Sequence, residues 1–265
     1  MSADPVLLEA VAALVARQRG AGLFTLGICG AQGSGKTTLV ADLAATLEAQ
    51  GLRVASLSLD DLYLTRAERQ TLAHEVHPLF ATRGVPGTHD VTLGLATLDA
   101  LARGEPAPLP RFDKACDDRA PPAAWPQAPA ATEVLLFEGW CLGARPQDGA
   151  ALVEPANALE RDEDREQVWR SHTNAALDGD YRQLFGRIDR LVFLAAPSWD
   201  VVAAWREQQE AGLRTIGGSA VMDADQVARF IQHYERLTRH MLATMPGCAD
   251  LTVRLDPDRA VLGLG

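Results

Sequence analysis

The chain has 265 residues, 47% hydrophobic and 23% charged, with a mean hydropathy of -0.05, the make-up of a globular protein long enough to bury a sheet between two helix layers. A net charge of -10 and a pI of about 5.1 repel phosphate backbones and anionic lipid, so the expected partner is a small molecule rather than nucleic acid or membrane. No run of about 18 uncharged apolar residues occurs, and Met1 to Gly20 mixes charge into an apolar pattern without a basic leader, which reads as the amphipathic first helix of a cytoplasmic protein.

Leu23 to Cys29 (LFTLGIC) is an apolar run with β-branched and aromatic members, the pattern of a buried parallel strand. Lys36 to Gln50 repeats its apolar residues at three- and four-residue spacing and stops at Gly51, so a helix follows the strand directly. Between them Gly30-Ala31-Gln32-Gly33-Ser34-Gly35-Lys36-Thr37, with Thr38 next, fits G-x-x-x-x-G-K-[ST] at every required position. In that context the glycines let successive N–H groups curl around phosphate oxygens at a helix N-terminus. Lys36 then neutralises the phosphates of ATP, and the Thr37 hydroxyl ligates Mg²⁺. The bland alternative is a strand-to-helix turn that simply needs glycine. Lysine is nearly absent, with only Lys36 and Lys114 among 25 basic residues, so a lysine at this position invites a reason.

Arg53 to Leu59 is the second strand, and Asp60 and Asp61 follow it in SLDDLY. Ligands of open α/β sheets collect beyond the carboxyl ends of strands, so Asp60 is the candidate to orient or deprotonate an attacking hydroxyl, with Asp61 and Tyr63 facing the acceptor. Helix capping is the competing reading of the two acids. Thr65 to His74 reads as a short helix, and Pro78, Gly84, Pro86 and Gly87 break the next stretch into loop. Val91 to Arg103 is helical, and the proline-dense stretch Gly104 to Pro129 is not. Loops here concentrate Arg83, His89, Asp90, Arg111, Asp113, Lys114 and Arg119. As a group they could hold an anionic acceptor in an otherwise acidic chain, although solvated surface charge explains some of them.

Glu133 to Phe137 is the third strand, and Glu138 after it in LLFEGW is a second candidate Mg²⁺ ligand, directly or through water. Leu159 to Leu177 reads as one polar helix, Asp189 to Ala195 as the fourth strand, and Ser198 to Leu213 as a helix capped by Ser198. Arg206 and Arg214 on that helix, with Gly217-Gly218 as a hinge, suggest a lid that closes over the phosphates. A helix from about Asp223 to Leu242 and a strand from Asp250 to Leu255 end the pattern. Alternating strands and helices imply a mostly parallel sheet covered by helices on both faces, the three-layer sandwich of a P-loop NTPase. The chain reads as a single domain, 1–265, with an acceptor-binding insertion over about 60–130 and the lid over about 200–222. Cys29, Cys116, Cys141 and Cys248 are scattered without metal-binding spacing, and three of them sit where buried reduced thiols are expected. The oligomeric state is not legible, and a monomer is compatible with everything read here.

The succession GAQGSGKTT, SLDDLYLT, HPLFATRGVPGTHD, PRFDKACDDRAP, LLFEGW and WREQQE resembles the D-glycerate 3-kinase family, a branch of the P-loop kinases alongside phosphoribulokinase, uridine kinase and bacterial pantothenate kinase. The resemblance implies that Asp60 is the catalytic base, that acceptor contacts fall at Tyr63, His89-Asp90 and Arg111 to Lys114, and that phosphate passes from ATP to the 3-hydroxyl of glycerate. Read from the residues alone, the acceptor stays open among an organic acid, a nucleoside and a sugar phosphate. A nucleotide-driven switch or chaperone is the reading from another class, and it is disfavoured because neither lysine lies in an [NT]-K-x-D motif.

Overall fold

The structure is a computed structural model that describes residues 2–216 and 223–265, and the side chains of these except 210–216 and 224. The expected hinge Gly217-Gly218 and the Arg214 side chain therefore lie outside the described residues. Among those described, six strands form the main sheet: β1 (Phe24–Gly30), β2 (Val54–Ser58), β3 (Val134–Gly139), β4 (Arg190–Ala195), β5 (Leu251–Leu255) and β6 (Val261–Leu264). Their spatial order is β6-β5-β4-β1-β3-β2, parallel throughout except for the antiparallel hairpin of β5 and β6. Helices cover both faces, giving the α/β sandwich expected from the alternation.

Every residue of β1 is buried, and β3 beside it is buried except at Glu138. Such unbroken apolar strands suit the centre of a parallel sheet, where both faces need cover and no polar alternation is tolerated. Ile28 of β1 and Ser58 of β2 both stand opposite Glu138 of β3. That register brings three strand ends level, so the residues beyond them emerge on one edge of the sheet.

The helices are α1 (Pro5–Gln18), α2 (Lys36–Ala49), α3 (Arg66–Glu75), α4 (Val91–Ala102), α5 (Ala158–Glu163), α6 (Val168–Asp178), α7 (Asp180–Phe185), α8 (Trp199–Ile216) and α9 (Ala224–Thr244). Capping side chains fix several starts: Thr65 and Glu68 form a capping box on α3, Asp90 caps α4, and Asp223 with Gln226 forms a second box on α9. The single helix expected over Leu159 to Leu177 is two. The fully buried Asp164 carboxylate accepts from the N–H groups of Trp169 at 2.9 Å and Arg170 at 3.2 Å and pairs with Arg170 Nη1 at 2.9 Å. Asp164 thus ends one helix and caps the next, which apolar spacing alone does not reveal.

The proline-dense segment also holds structure that its composition hides. Ala107–Pro108 pairs with Gln127–Ala128, and Phe112–Asp113 pairs with Asp118–Arg119, as two short antiparallel ribbons. Cys29 and Cys141 are buried as expected, whereas Cys248 and Cys116 are exposed, and all four thiols are free. No described helix is long and apolar enough to cross a membrane.

Candidate active site

Beyond the level ends of β1, β2 and β3 lies a cleft of about 410 Å³ whose walls include Gln32, Gly33, Lys36, Thr37, Asp60, Asp61, Tyr63, Arg83, Lys114, Glu138 and Arg206. The turn from β1 into α2 forms its floor. Gly33 has φ of +80°, and a Cβ there would lie 2.8 Å from Cβ of Trp205, so no other residue fits the turn without strain. Lys36 is buried, its Nζ donates to the Ala31 carbonyl at 3.1 Å, and among the described residues no carboxylate pairs with it. Ser34 Oγ is also buried without a hydrogen-bond partner among those residues. An ammonium group and a hydroxyl left over inside a curl of backbone N–H groups fit the phosphates of a nucleotide. Gly30, Ala31 and Gly35 complete the turn, while Thr38 lies two residues past Lys36 in α2 and does not line the cleft.

Thr37 Oγ1 donates to Glu138 Oε1 at 3.4 Å. Among the described residues no cluster of three His, Cys, Asp or Glu could hold a metal by itself. A hydroxyl beside one carboxylate suits Mg²⁺, which takes few protein oxygens and completes its shell with water and phosphate.

Asp60 sits in a short 3-10 turn, Leu59–Leu62, that Ser58 caps through its hydroxyl. Its Oδ1 accepts from the Tyr63 hydroxyl and its Oδ2 from Lys114 Nζ, both at 2.7 Å. Burial alone would raise its pKa, but the Lys114 charge and the bonds from Lys114 and Tyr63 outweigh burial and hold Asp60 below its ordinary value. Two acceptor positions on the carboxylate remain for another donor. Asp61 differs: burial pushes its carboxyl up, while it accepts from Phe112 N at 3.1 Å and meets Arg111 Nη1 at 3.3 Å.

Five of the residues expected at the acceptor, His89, Asp90, Arg111, Asp113 and Arg119, do not line this cleft. Asp90 caps α4 and pairs with Arg119 at 3.0 Å, and Arg119 also donates to the Tyr63 carbonyl at 3.1 Å. Asp113 accepts from Ala115 N at 2.8 Å and shapes the turn that presents Lys114. His89 lies behind Tyr63, rings stacked at 4.7 Å, with its Nδ1 bonded to the Tyr181 hydroxyl. Because that hydroxyl already accepts from the N–H groups of Gly87 and His89, its own proton goes to Nδ1, and the imidazole proton sits on Nε2. Burial pulls the His89 pKa down to about 4, so the ring is neutral.

Trp140, Phe230 and Tyr234 also line the cleft, and the sequence did not single them out. Trp140 and Tyr234 meet edge to face at 5.0 Å, and Tyr234 donates to the Arg83 carbonyl at 3.0 Å. A Cβ on Gly84 would overlap the Tyr234 hydroxyl. Phe230 supports Arg206, whose guanidinium carbon lies 5.2 Å from the ring centroid. Trp140 stands two residues after Glu138 and was within reach of the strand-end argument. Phe230 and Tyr234 are spaced i, i+4 on an amphipathic helix, where nothing distinguishes a cleft wall from ordinary core.

No protein-family model matches the sequence. The chain is 37% identical over 221 residues to an uncharacterized kinase of Schizosaccharomyces pombe, covering 80% of this chain and 78% of that one. It is 31% identical over 254 residues to the chloroplastic D-glycerate 3-kinase of Arabidopsis thaliana, covering 89% of this chain but only 53%, about half, of that relative. The fold superposes on a solved structure of D-glycerate 3-kinase from Cryptococcus neoformans with a TM-score of 0.82 and 25% identity over 99% of both chains.

Proposed function

The chain belongs to the D-glycerate 3-kinase family of P-loop kinases, and from that membership we propose that it moves the γ-phosphoryl group of ATP, with Mg²⁺, onto a hydroxyl of a small organic acid, D-glycerate at its 3-hydroxyl being the foremost acceptor. The observation that carries the reading is the shared cleft: Lys36, Asp60 and Glu138 leave three different strands and line one cavity. The names borne by two of the relatives support glycerate as the acceptor.

In this reading the N–H groups of the phosphate loop and the Lys36 ammonium orient the triphosphate and offset its charge. Thr37 and Glu138 hold Mg²⁺, which when bound supplies charge neutralisation at the transferred group. Asp60 orients the acceptor hydroxyl through its remaining acceptor positions and receives the proton as the P–O bond forms. Tyr63 keeps its own proton at neutral pH, because burial and the Asp60 charge push its pKa well above the ordinary phenol value. Arg83 and Lys114 line the cleft and face an acid acceptor, and Arg111, outside its lining, holds Asp61. Each is already bonded to an aspartate, yet guanidinium and ammonium groups carry more donors than those bonds use.

The test is ADP release from ATP and Mg²⁺ across a panel of hydroxyl acceptors: glycerate, pantothenate, a nucleoside and a sugar phosphate. Turnover that requires glycerate supports the proposal. Turnover with another acceptor moves the substrate within the family, and hydrolysis indifferent to every acceptor contradicts a kinase.

A further inference from the structure

The turn of the C-terminal hairpin, Asp256 to Ala260, reaches the phosphate loop. Arg259 Nε donates to the Gly33 carbonyl at 2.6 Å, and Arg259 Nη2 donates to Gln208 Oε1 on α8 at 2.9 Å. The same guanidinium lies over the Trp205 ring, 5.0 Å from its centroid, and the Trp205 indole N–H donates to the Pro257 carbonyl at 2.7 Å. Three elements therefore meet at one side chain.

The turn is set before it makes these contacts. The Asp256 carboxylate accepts from the N–H groups of Asp258 and Ala260, both at 2.8 Å. Arg259 is held at φ of +71°, a left-handed conformation that a residue with a Cβ keeps only where its surroundings over-determine it. The phosphate loop does need a restraint at this point. A glycine accepts either sign of φ, so the peptide between Gly33 and Ser34 could turn over at little cost. Because that peptide is planar and trans, drawing the Gly33 carbonyl toward Arg259 turns the Ser34 N–H the opposite way, where it donates to the Ala31 carbonyl at 3.2 Å. Lys36 Nζ donates to the same carbonyl.

We infer that Arg259 is a positioning residue of the nucleotide site, which clamps the apex of the phosphate loop to α8 and so fixes the Gly33–Ser34 peptide, its N–H turned to the Ala31 carbonyl that also receives Lys36. The inference rests on the reading that residues 30–37 hold the phosphates. α8 also carries Arg206 into the cleft, so the clamp ties the loop beneath the nucleotide to the helix beside it. Arg259 acts through this geometry and is not offered as a group that touches substrate.

The test is equilibrium Mg·ATP binding by calorimetry on the full chain, with steady-state kinetics alongside. Arg259→Met keeps a stem to cover Trp205 and removes every donor, so it is expected to weaken Mg·ATP binding and raise the KM for ATP by about ten- to a hundredfold, with the acceptor KM unchanged. Arg259→Lys, which retains one donor for the Gly33 carbonyl, is expected to recover part of that loss. Arg259→Ala removes packing as well; should it fail to fold, the Met and Lys variants decide. Parent-like Mg·ATP affinity in Arg259→Met overturns the inference, as does an equal loss toward ATP and acceptor with a lowered Tm, the mark of general destabilisation. A parent chain that does not bind Mg·ATP at all overturns the phosphate-loop reading itself, and the inference with it.

Discussion

Lys36 carries a positive charge into a buried position where, among the described residues, only the Ala31 carbonyl receives it. An ammonium group withdrawn from water without an anion is costly, and a bound triphosphate removes that cost. Lys36→Ala is accordingly expected to weaken Mg·ATP binding by about one to two orders of magnitude, read by calorimetry; unchanged affinity would leave the loop without a role in phosphate binding. Residues at this scale were legible where chemistry restricts the residue type. The glycines, the lysine and the two strand-end acids could be named from the chain alone, because few alternatives curl around a phosphate or deliver a carboxylate beyond a strand. His89, Asp90 and Asp113 fall in segments that the family resemblance assigns to the acceptor, and Arg119 joins them on charge. Charge does not tell a side chain that faces a cleft from one that ties a loop, and in the structure Asp90 and Arg119 bond to each other while Asp113 braces a turn.

At the scale of elements, the break between α5 and α6 shows what periodicity leaves out. Residues 160–167 are all polar, so no apolar spacing marks the break, which falls where Asp164 ends α5, Gln167 turns left-handed and the buried Asp164 carboxylate accepts from the first turn of α6. Asp164 and Arg170 are 0% and 3% exposed at the side chain, so removing one partner strands the other charge in the interior. Asp164→Ala should lower the stability by roughly 3 to 5 kcal/mol in urea unfolding. Arg182→Ala, from an ion pair with Asp178 exposed at 79% and 67%, should cost less than about 1 kcal/mol. Equal losses would mean that the buried pair contributes no more than a surface one. The ribbons within 104–129 were hidden for a different reason. Each strand is two residues long, too short for any alternation to show, and proline at their edges suggested unbroken loop.

For the whole molecule, the parallel sheet was legible because its strands are apolar runs punctuated by helices. Strand order was not, since no residue in β1 records that β3 and β4 will flank it. The antiparallel β6 likewise escaped, as VLGL is short and interrupted by Gly263. The folded state also carries a pH signature. Burial lowers both His89 and His233 to about 4 from an ordinary 6.5. Between those values the unfolded chain binds more protons, so stability is fully present above about 6.5 and is lost as the pH falls toward 4. The lowered Asp60 adds to the loss at still lower pH, and the raised Asp61 opposes it. Tm measured at about pH 7 and about pH 4.5 should be lower in acid; a flat profile would contradict neutral buried imidazoles.

The level ends of three strands make one reaction site only if the carboxylate beyond β2 serves the transfer and not the grip on nucleotide. Asp60→Asn separates the two, with Mg·ATP affinity and acceptor-dependent turnover measured on the same preparation. The account predicts affinity within about twofold of the parent and turnover lower by about two to four orders of magnitude. Turnover close to that of the parent would contradict it.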